Sequence, residues 1–268
     1  MKVAFYFCKM QNKPIGIFDS GVGGTSIFKE IHALLPNEDC IYLADSKNAP
    51  YGNRSKEDIL QLCIKNTEFL LHRNCKLIVV ACNTATTNAI SYLREHYDIP
   101  FIGIEPAIKP AALNTKTKTV GILATKGTLS SLLFHKTSDL YASGITIVEQ
   151  IGEGIVPLIE SGQLHSDRME SLLEKYLEPM LEQQIDYLVL GCTHYPYLIP
   201  ILNKLLPENV TIIDSGLAVA KQTKTILDAN DLLNGSNNKP NIQFYSNTDT
   251  EVLKSILGGS FKVEYLDF

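Results

Sequence analysis

Val79-Val80-Ala81-Cys82-Asn83-Thr84 and, 110 residues further on, Val189-Leu190-Gly191-Cys192-Thr193-His194 share one pattern: an apolar, valine-rich run that ends on cysteine and continues into polar side chains. A short apolar run bounded by polar residues predicts a strand buried on both faces of a parallel sheet. Upstream, Ile15-Gly16-Ile17-Phe18-Asp19-Ser20 matches Val120-Gly121-Ile122-Leu123-Ala124-Thr125 at an offset of 105. Two similar offsets in the same order predict one architecture built twice.

The rest of the chain fits that frame. Strands are expected at Ile15–Phe18, Cys40–Ala44, Leu77–Ala81, Phe101–Ile104, Thr119–Ala124, Ile145–Glu149 and Tyr187–Leu190. Helices are expected between them, over Gly24–Leu35, Lys56–His72, Thr86–His96, Leu129–Ala142 and within Asp167–Gln184. Such alternation predicts βαβ units, hence an α/β fold with mainly parallel sheets. Pro100, Pro106 and Pro110 favour extended or turn backbone between the halves, with a boundary near Glu105–Lys109. After Val210–Asp214 and a helix near Leu217–Ala229, the polar stretch 234–240 reads as a loop, and Ile242–Tyr245 and Phe261–Leu266 as strands returning to the first half. The expected domains are residues 1–106 plus 223–268, and residues 107–222.

Composition narrows the function classes. A net charge of −5 with no basic run argues against nucleic acid as the main partner. The longest apolar runs are strand-length, far below the roughly 20 residues of a membrane helix, so no membrane partner is expected. Six cysteines without a C-x-x-C pair, in a 268-residue chain able to bury a real core, predict free thiols in a reducing, cytoplasmic compartment. The stretch before Ile15 reads as a leader-like extension or an edge strand, with Met10 an alternative start.

In parallel sheets ligands bind beyond the carboxyl ends of the strands, where Cys82 and Cys192 are expected. The other cysteines, Cys8, Cys40, Cys63 and Cys75, read as small buried hydrophobes. A thiol at the start of a helix is favoured as thiolate by the helix dipole. Two such groups, one from each half, could stand on opposite faces of a carbon, one removing a proton while the other delivers one. Two alternatives stay open. Cys192 and His194 could begin a metal site, although zinc needs three or four ligands; Cys192, His194 and Asp19 or Glu160 could form a nucleophilic triad, which leaves Cys82 without a role. Asp19 opens the run Asp19-Ser20-Gly21-Val22-Gly23-Gly24, which is neither a dinucleotide fingerprint nor a Walker loop. It either orients a substrate ammonium or caps the next helix. Pro50-Tyr51-Gly52 can be a plain turn, and Glu160 either supports His194 or is a surface carboxylate before a glycine turn.

Taken together, Gly16 to Gly24, Pro50-Tyr51-Gly52, Ala81-Cys82-Asn83-Thr84-Ala85 and Gly191-Cys192-Thr193-His194-Tyr195-Pro196 resemble the glutamate racemases of the aspartate/glutamate racemase superfamily. The resemblance implies two flavodoxin-like domains related by a pseudo-twofold axis, with the active site in the cleft between them. It implies a cofactor-independent, metal-free interconversion of L- and D-glutamate that supplies D-glutamate for peptidoglycan, in an enzyme that is commonly a homodimer. Its acid/base cysteines fall on Cys82 and Cys192, with Cys82 deprotonating the D-isomer and Cys192 the L-isomer. Asp19 and His194 assist them, and Glu160 stands behind the histidine. Substrate contacts fall on Asp19, Ser20, Tyr51, Gly52, Asn83, Thr84, Thr193 and His194. A racemase or isomerase acting on aspartate, hydantoins or maleate, or a non-enzymatic amino-acid-binding protein, would use the same frame. About a dozen residues precede the family's usual start, too few to imply the precursor-activated behaviour found with longer extensions.

Overall fold

β1 (Ile15–Asp19), β2 (Cys40–Ala44) and β3 (Leu77–Val80) are buried along their whole length, as the uninterrupted apolar runs require. The computed structural model that shows them describes residues 10–141, 144–236 and 238–268; the expected N-terminal edge strand falls mostly on residues 1–9, outside that range. α1 (Thr25–Leu34), α2 (Lys56–His72) and α3 (Asn83–His96) connect and cover these strands, and β4 (Phe101–Gly103) follows.

The second half repeats the pattern. α4 (Ile108–Asn114) leads into β5 (Thr119–Ala124), α5 (Lys126–Leu129), α6 (Leu132–Tyr141), β6 (Thr146–Ile151), α7 (Ile155–Glu160), α8 (Asp167–Glu182), β7 (Tyr187–Gly191), α9 (Ile199–Leu205) and β8 (Thr211–Ile213). The chain then returns through α10 (Gly216–Ala229), which packs against α1, to β9 (Ile242–Ser246), α11 (Glu251–Ile256) and β10 (Val263–Tyr265).

The described strands form two sheets, β10-β9-β2-β1-β3-β4 and β6-β5-β7-β8, with every pairing parallel. Within each half the order is second, first, third, fourth: the flavodoxin-like winding, met twice. β1 corresponds to β5 and β3 to β7, as the sequence offsets predict. The largest apolar cluster runs from Ile17, Phe28 and Tyr42 through Val22, Ile159 and Tyr195 to Leu188 and Met180, so the halves share one core.

Three local expectations are corrected. The segment expected to be extended around Pro110 holds α4, because proline in the first turn forfeits only an amide that has no helical partner. The helix expected over Leu129–Ala142 is two, since Ser131 Oγ accepts the Phe134 N–H at 3.2 Å and starts a new helix. α7 was not expected at all; six residues containing Pro157 carry too little periodicity to register.

At the pole opposite the strands' carboxyl ends, Lys76 is buried with its ammonium donating to Glu38 Oε2 and to the Gln11 carbonyl, both at 2.5 Å. Glu38 Oε1 accepts the Asn234 N–H at 2.8 Å, which fastens the segments before β1 and after α10 to the sheet. Lys76→Met leaves that carboxylate buried and unpaired and should cost about 3–5 kcal/mol, while adding Glu38→Leu should recover much of the loss. Urea unfolding followed by circular dichroism checks this; equal stability of the single variant and the parent would contradict it.

Candidate active site

In a sheet wound second-first-third-fourth, connections leave the first and third strands toward opposite sides, opening a crevice at their carboxyl ends. The first half places Asp19 and Cys82 there, and the second places Thr125 and Cys192. The two crevices face each other and close on one narrow cavity. Ser20, Pro50, Tyr51, Gly52, Cys82, Asn83 and Thr84 line it from one side, and Thr125, Val156, Cys192, Thr193 and His194 from the other.

The two thiols have different surroundings. Cys82 follows β3 and caps α3, accepting the Ala85 N–H at 3.5 Å and donating toward Ser20 Oγ at 3.7 Å. The expected help from the helix dipole is outweighed: burial first, then the charge of Asp19, pushes the Cys82 thiol well above the usual cysteine range. Cys192 heads no α-helix, since a 3₁₀ turn over Tyr195–Leu198 follows. Its partner is an imidazole, with Cys192 Sγ 3.7 Å from His194 Nδ1.

His194 Nε2 lies 2.5 Å from Glu160 Oε1. Burial works against the imidazolium, yet the hydrogen bonds to Cys192 and Glu160 and the charges of both hold His194 well above the usual histidine range. Burial likewise works against the Glu160 carboxylate. Hydrogen bonds from His194, the Val22 N–H at 2.7 Å and Ser46 Oγ at 2.7 Å nevertheless lower it below the usual glutamate range. Glu160 is therefore no surface carboxylate. It stands behind His194, on α7.

Asp19 is not the N-cap of α1, a place held by Gly24 without a side-chain cap; it orders the loop in front of that helix and reaches the other half. Its Oδ2 accepts the Gly21 and Gly24 N–H groups at 3.3 and 2.9 Å, ordering the loop before α1. Its Oδ1 accepts Thr193 Oγ1 at 3.3 Å from the other half. Burial raises Asp19 above the usual aspartate range, opposed chiefly by the charge of His194. Tyr51 lines the cavity, but its hydroxyl is spent on Asp45 Oδ2 at 2.5 Å. It shapes the wall while Asp45 holds it. Asn83 is the reverse case: buried at the cavity, with neither side-chain oxygen nor nitrogen partnered among the described residues. Such an amide is a ready handle for a ligand with both donors and acceptors.

The glycines of the first loop answer to the protein's own side chains. A Cβ at Gly21 would collide with the Glu160 carboxylate, and one at Gly23 with the His194 ring. Thr125 was missed as a site residue although it is the repeat partner of Ser20. Its hydroxyl lies 2.8 Å from Thr84 Oγ1, joining the halves at the cavity wall. Among the described residues, no three His, Cys, Asp or Glu side chains are grouped to hold a metal ion. The line Cys192–His194–Glu160 has the order of a nucleophilic triad, but a second thiol with its own carboxylate, Cys82 beside Asp19, shares the cavity.

The Asp/Glu/hydantoin racemase family matches residues 15–223. The glutamate racemase of Herpetosiphon aurantiacus is 47% identical over 240 residues, covering 90% of this chain and 94% of that protein. The structure of a glutamate racemase isoform from Bacillus anthracis superposes with a TM-score of 0.85 at 31% identity, covering 96% of this chain and 98% of that one. That of the Escherichia coli glutamate racemase in complex with L-glutamate and an activator gives 0.84 at 34% identity, over 95% of this chain and 98% of that one.

Gly23→Ala drives a methyl into His194 and should lower kcat/KM at least about 100-fold, at about 1–3 kcal/mol in stability. Steady-state kinetics beside thermal unfolding test this, and a folded variant of parental activity would contradict the packing described.

Proposed function

The chain belongs to the Asp/Glu/hydantoin racemase family and is an amino-acid racemase, and from that premise we propose that it interconverts L- and D-glutamate by proton transfer between Cα and two thiols. The observation that carries the reading is the single cavity holding Cys82 and Cys192, one from each half.

Inversion at Cα requires a base on one face and an acid on the other. A Cα–H beside a carboxylate is a very weak acid, so charge that develops as the bond breaks needs preorganised donors. Asn83, Ser20, Thr84 and Thr193 surround the cavity and supply amide and hydroxyl groups for the α-carboxylate as it becomes enediolate-like. Enclosure by the two halves keeps bulk water away and strengthens those contacts.

The acid/base assignment follows from surroundings. Cys82, buried beside Asp19, is held as a thiol, the proton donor. Cys192 faces the His194 ring, which Glu160 backs, and we assign it the part of proton acceptor. In that resting arrangement Cys192 takes the proton of L-glutamate while Cys82 protonates the opposite face. With D-glutamate the roles reverse: Asp19 accepts the Cys82 proton and His194 supplies one to Cys192. The enantiomers have equal free energy, so kcat/KM is the same in both directions and loss of either thiol costs both.

We further propose Asp19, His194 and Glu160 as the supporting acid/base groups, with Tyr51 and Gly52 as wall. We also propose that the chain crosses back to the first half along α10, near the boundary expected at residue 222, a reading supported by the packing of α10 on α1. A cytoplasmic homodimer that feeds peptidoglycan synthesis with D-glutamate completes the reading, on the strength of the family resemblance.

Purified protein given L-glutamate without added cofactor should lose optical activity to a racemic end point, and L-aspartate should react far more slowly. Cys82→Ser and Cys192→Ser should each reduce racemisation at least about 1,000-fold in both directions. Parental activity in either variant would sink the two-thiol mechanism, and preference for aspartate would reassign the substrate.

A further inference from the structure

Glu160 has two oxygens and three donors. Oε1 receives His194 Nε2 and the Val22 N–H; Oε2 receives Ser46 Oγ alone, at 2.7 Å. Glu160 and His194 belong to the second half, whereas Val22 and Ser46 belong to the first. Ser46 itself is fixed from both sides. The Asp45 N–H donates to the Asp19 carbonyl at 3.0 Å, and the Lys47 N–H to Asn247 Oδ1 at 2.9 Å. The serine hydroxyl is thus a preplaced donor that waits for the carboxylate of the other half.

We propose that Ser46 is a positioning residue for racemisation: its hydrogen bond to Glu160 across the cleft couples closure of the two halves to the charge held on the Glu160–His194 pair. With the halves together, Ser46 and the Val22 amide stabilise Glu160 as an anion, which keeps the second proton on His194, next to Cys192. When the halves part, Glu160 loses both donors and the imidazolium loses part of its support. The site is charged for reaction only when it is shut. This rests on the two-thiol reading above.

The sign of the pH effect follows from the groups that face Glu160: His194 from the turn after β7, Asp19 at the end of β1 and Tyr42 on β2. None is altered by a change at residue 46. Removing one donor to the carboxylate raises its proton affinity, so as pH falls, activity that needs ionised Glu160 is lost sooner and the acid limb moves to higher pH.

The test compares Ser46→Ala and Ser46→Thr with the parent in two readouts: the pH profiles of kcat and KM for L-glutamate, and the ¹³C carboxyl titration of Glu160, assigned with Glu160→Gln. Ser46→Ala should move the acid limb of kcat and the Glu160 titration upward by about one pH unit, with kcat about tenfold lower on that limb. KM should change less than about twofold, and Ser46→Thr should restore both readouts. An unmoved titration, or a loss uniform across pH that tracks a fall in Tm, would overturn the proposal. A parent protein inactive on glutamate would overturn the substrate reading instead, and the Glu160 titration would still decide the role of Ser46.

Discussion

The contact between Glu160 and His194, both in the second half, is where the first half's loop is received. A buried imidazolium is costly unless a carboxylate compensates it, and a buried carboxylate is costly unless donors surround it. Here each requirement is met by the other, and the remaining donors to Glu160 come from across the cleft. The first loop is built of glycines because these two side chains occupy the space where a Cβ would lie. Packing between the halves and charge at the site are one problem, solved by one set of atoms.

A duplicated scaffold would by itself yield two equivalent thiols. What makes them different is the second set of residues each half adds. The first half ends β1 on Asp19, whose charge, with burial, holds Cys82 in the acid form; the second ends β5 on Ala124 and places His194 two residues after its cysteine. The symmetric frame supplies opposed positions, and the asymmetric neighbours give each thiol a different partner, Asp19 beside Cys82 and His194 beside Cys192. An enzyme that meets both enantiomers needs both: opposed faces for inversion, and one acid and one base at each encounter.

Much of the fold could be read from the chain because parallel strands buried on both faces leave continuous apolar runs, and duplication repeats them at nearly constant offset. Cys82, Asn83, Cys192 and His194 were legible for the same reason, since each follows the end of such a run. Glu160 was not. It lies on a six-residue helix interrupted by proline, and its meaning comes from Val22, 138 residues away. The glycine loop was legible as a place of close approach, but not that the approaching groups are the protein's own. Thr125 lay in the alignment already, opposite Ser20, and its role follows once the repeat is carried through to side chains.

The account stands on proton transfer between two groups on opposite faces of Cα. It is tested most directly by running the reaction in deuterium oxide from pure L-glutamate and measuring the isotope at Cα at low conversion. Two thiols predict D-glutamate that carries deuterium at Cα while the recovered L-glutamate keeps its protium. A single base that reaches both faces would return deuterium to the L-isomer or carry protium into the D-isomer, and either result would contradict the arrangement of Cys82 and Cys192 described above.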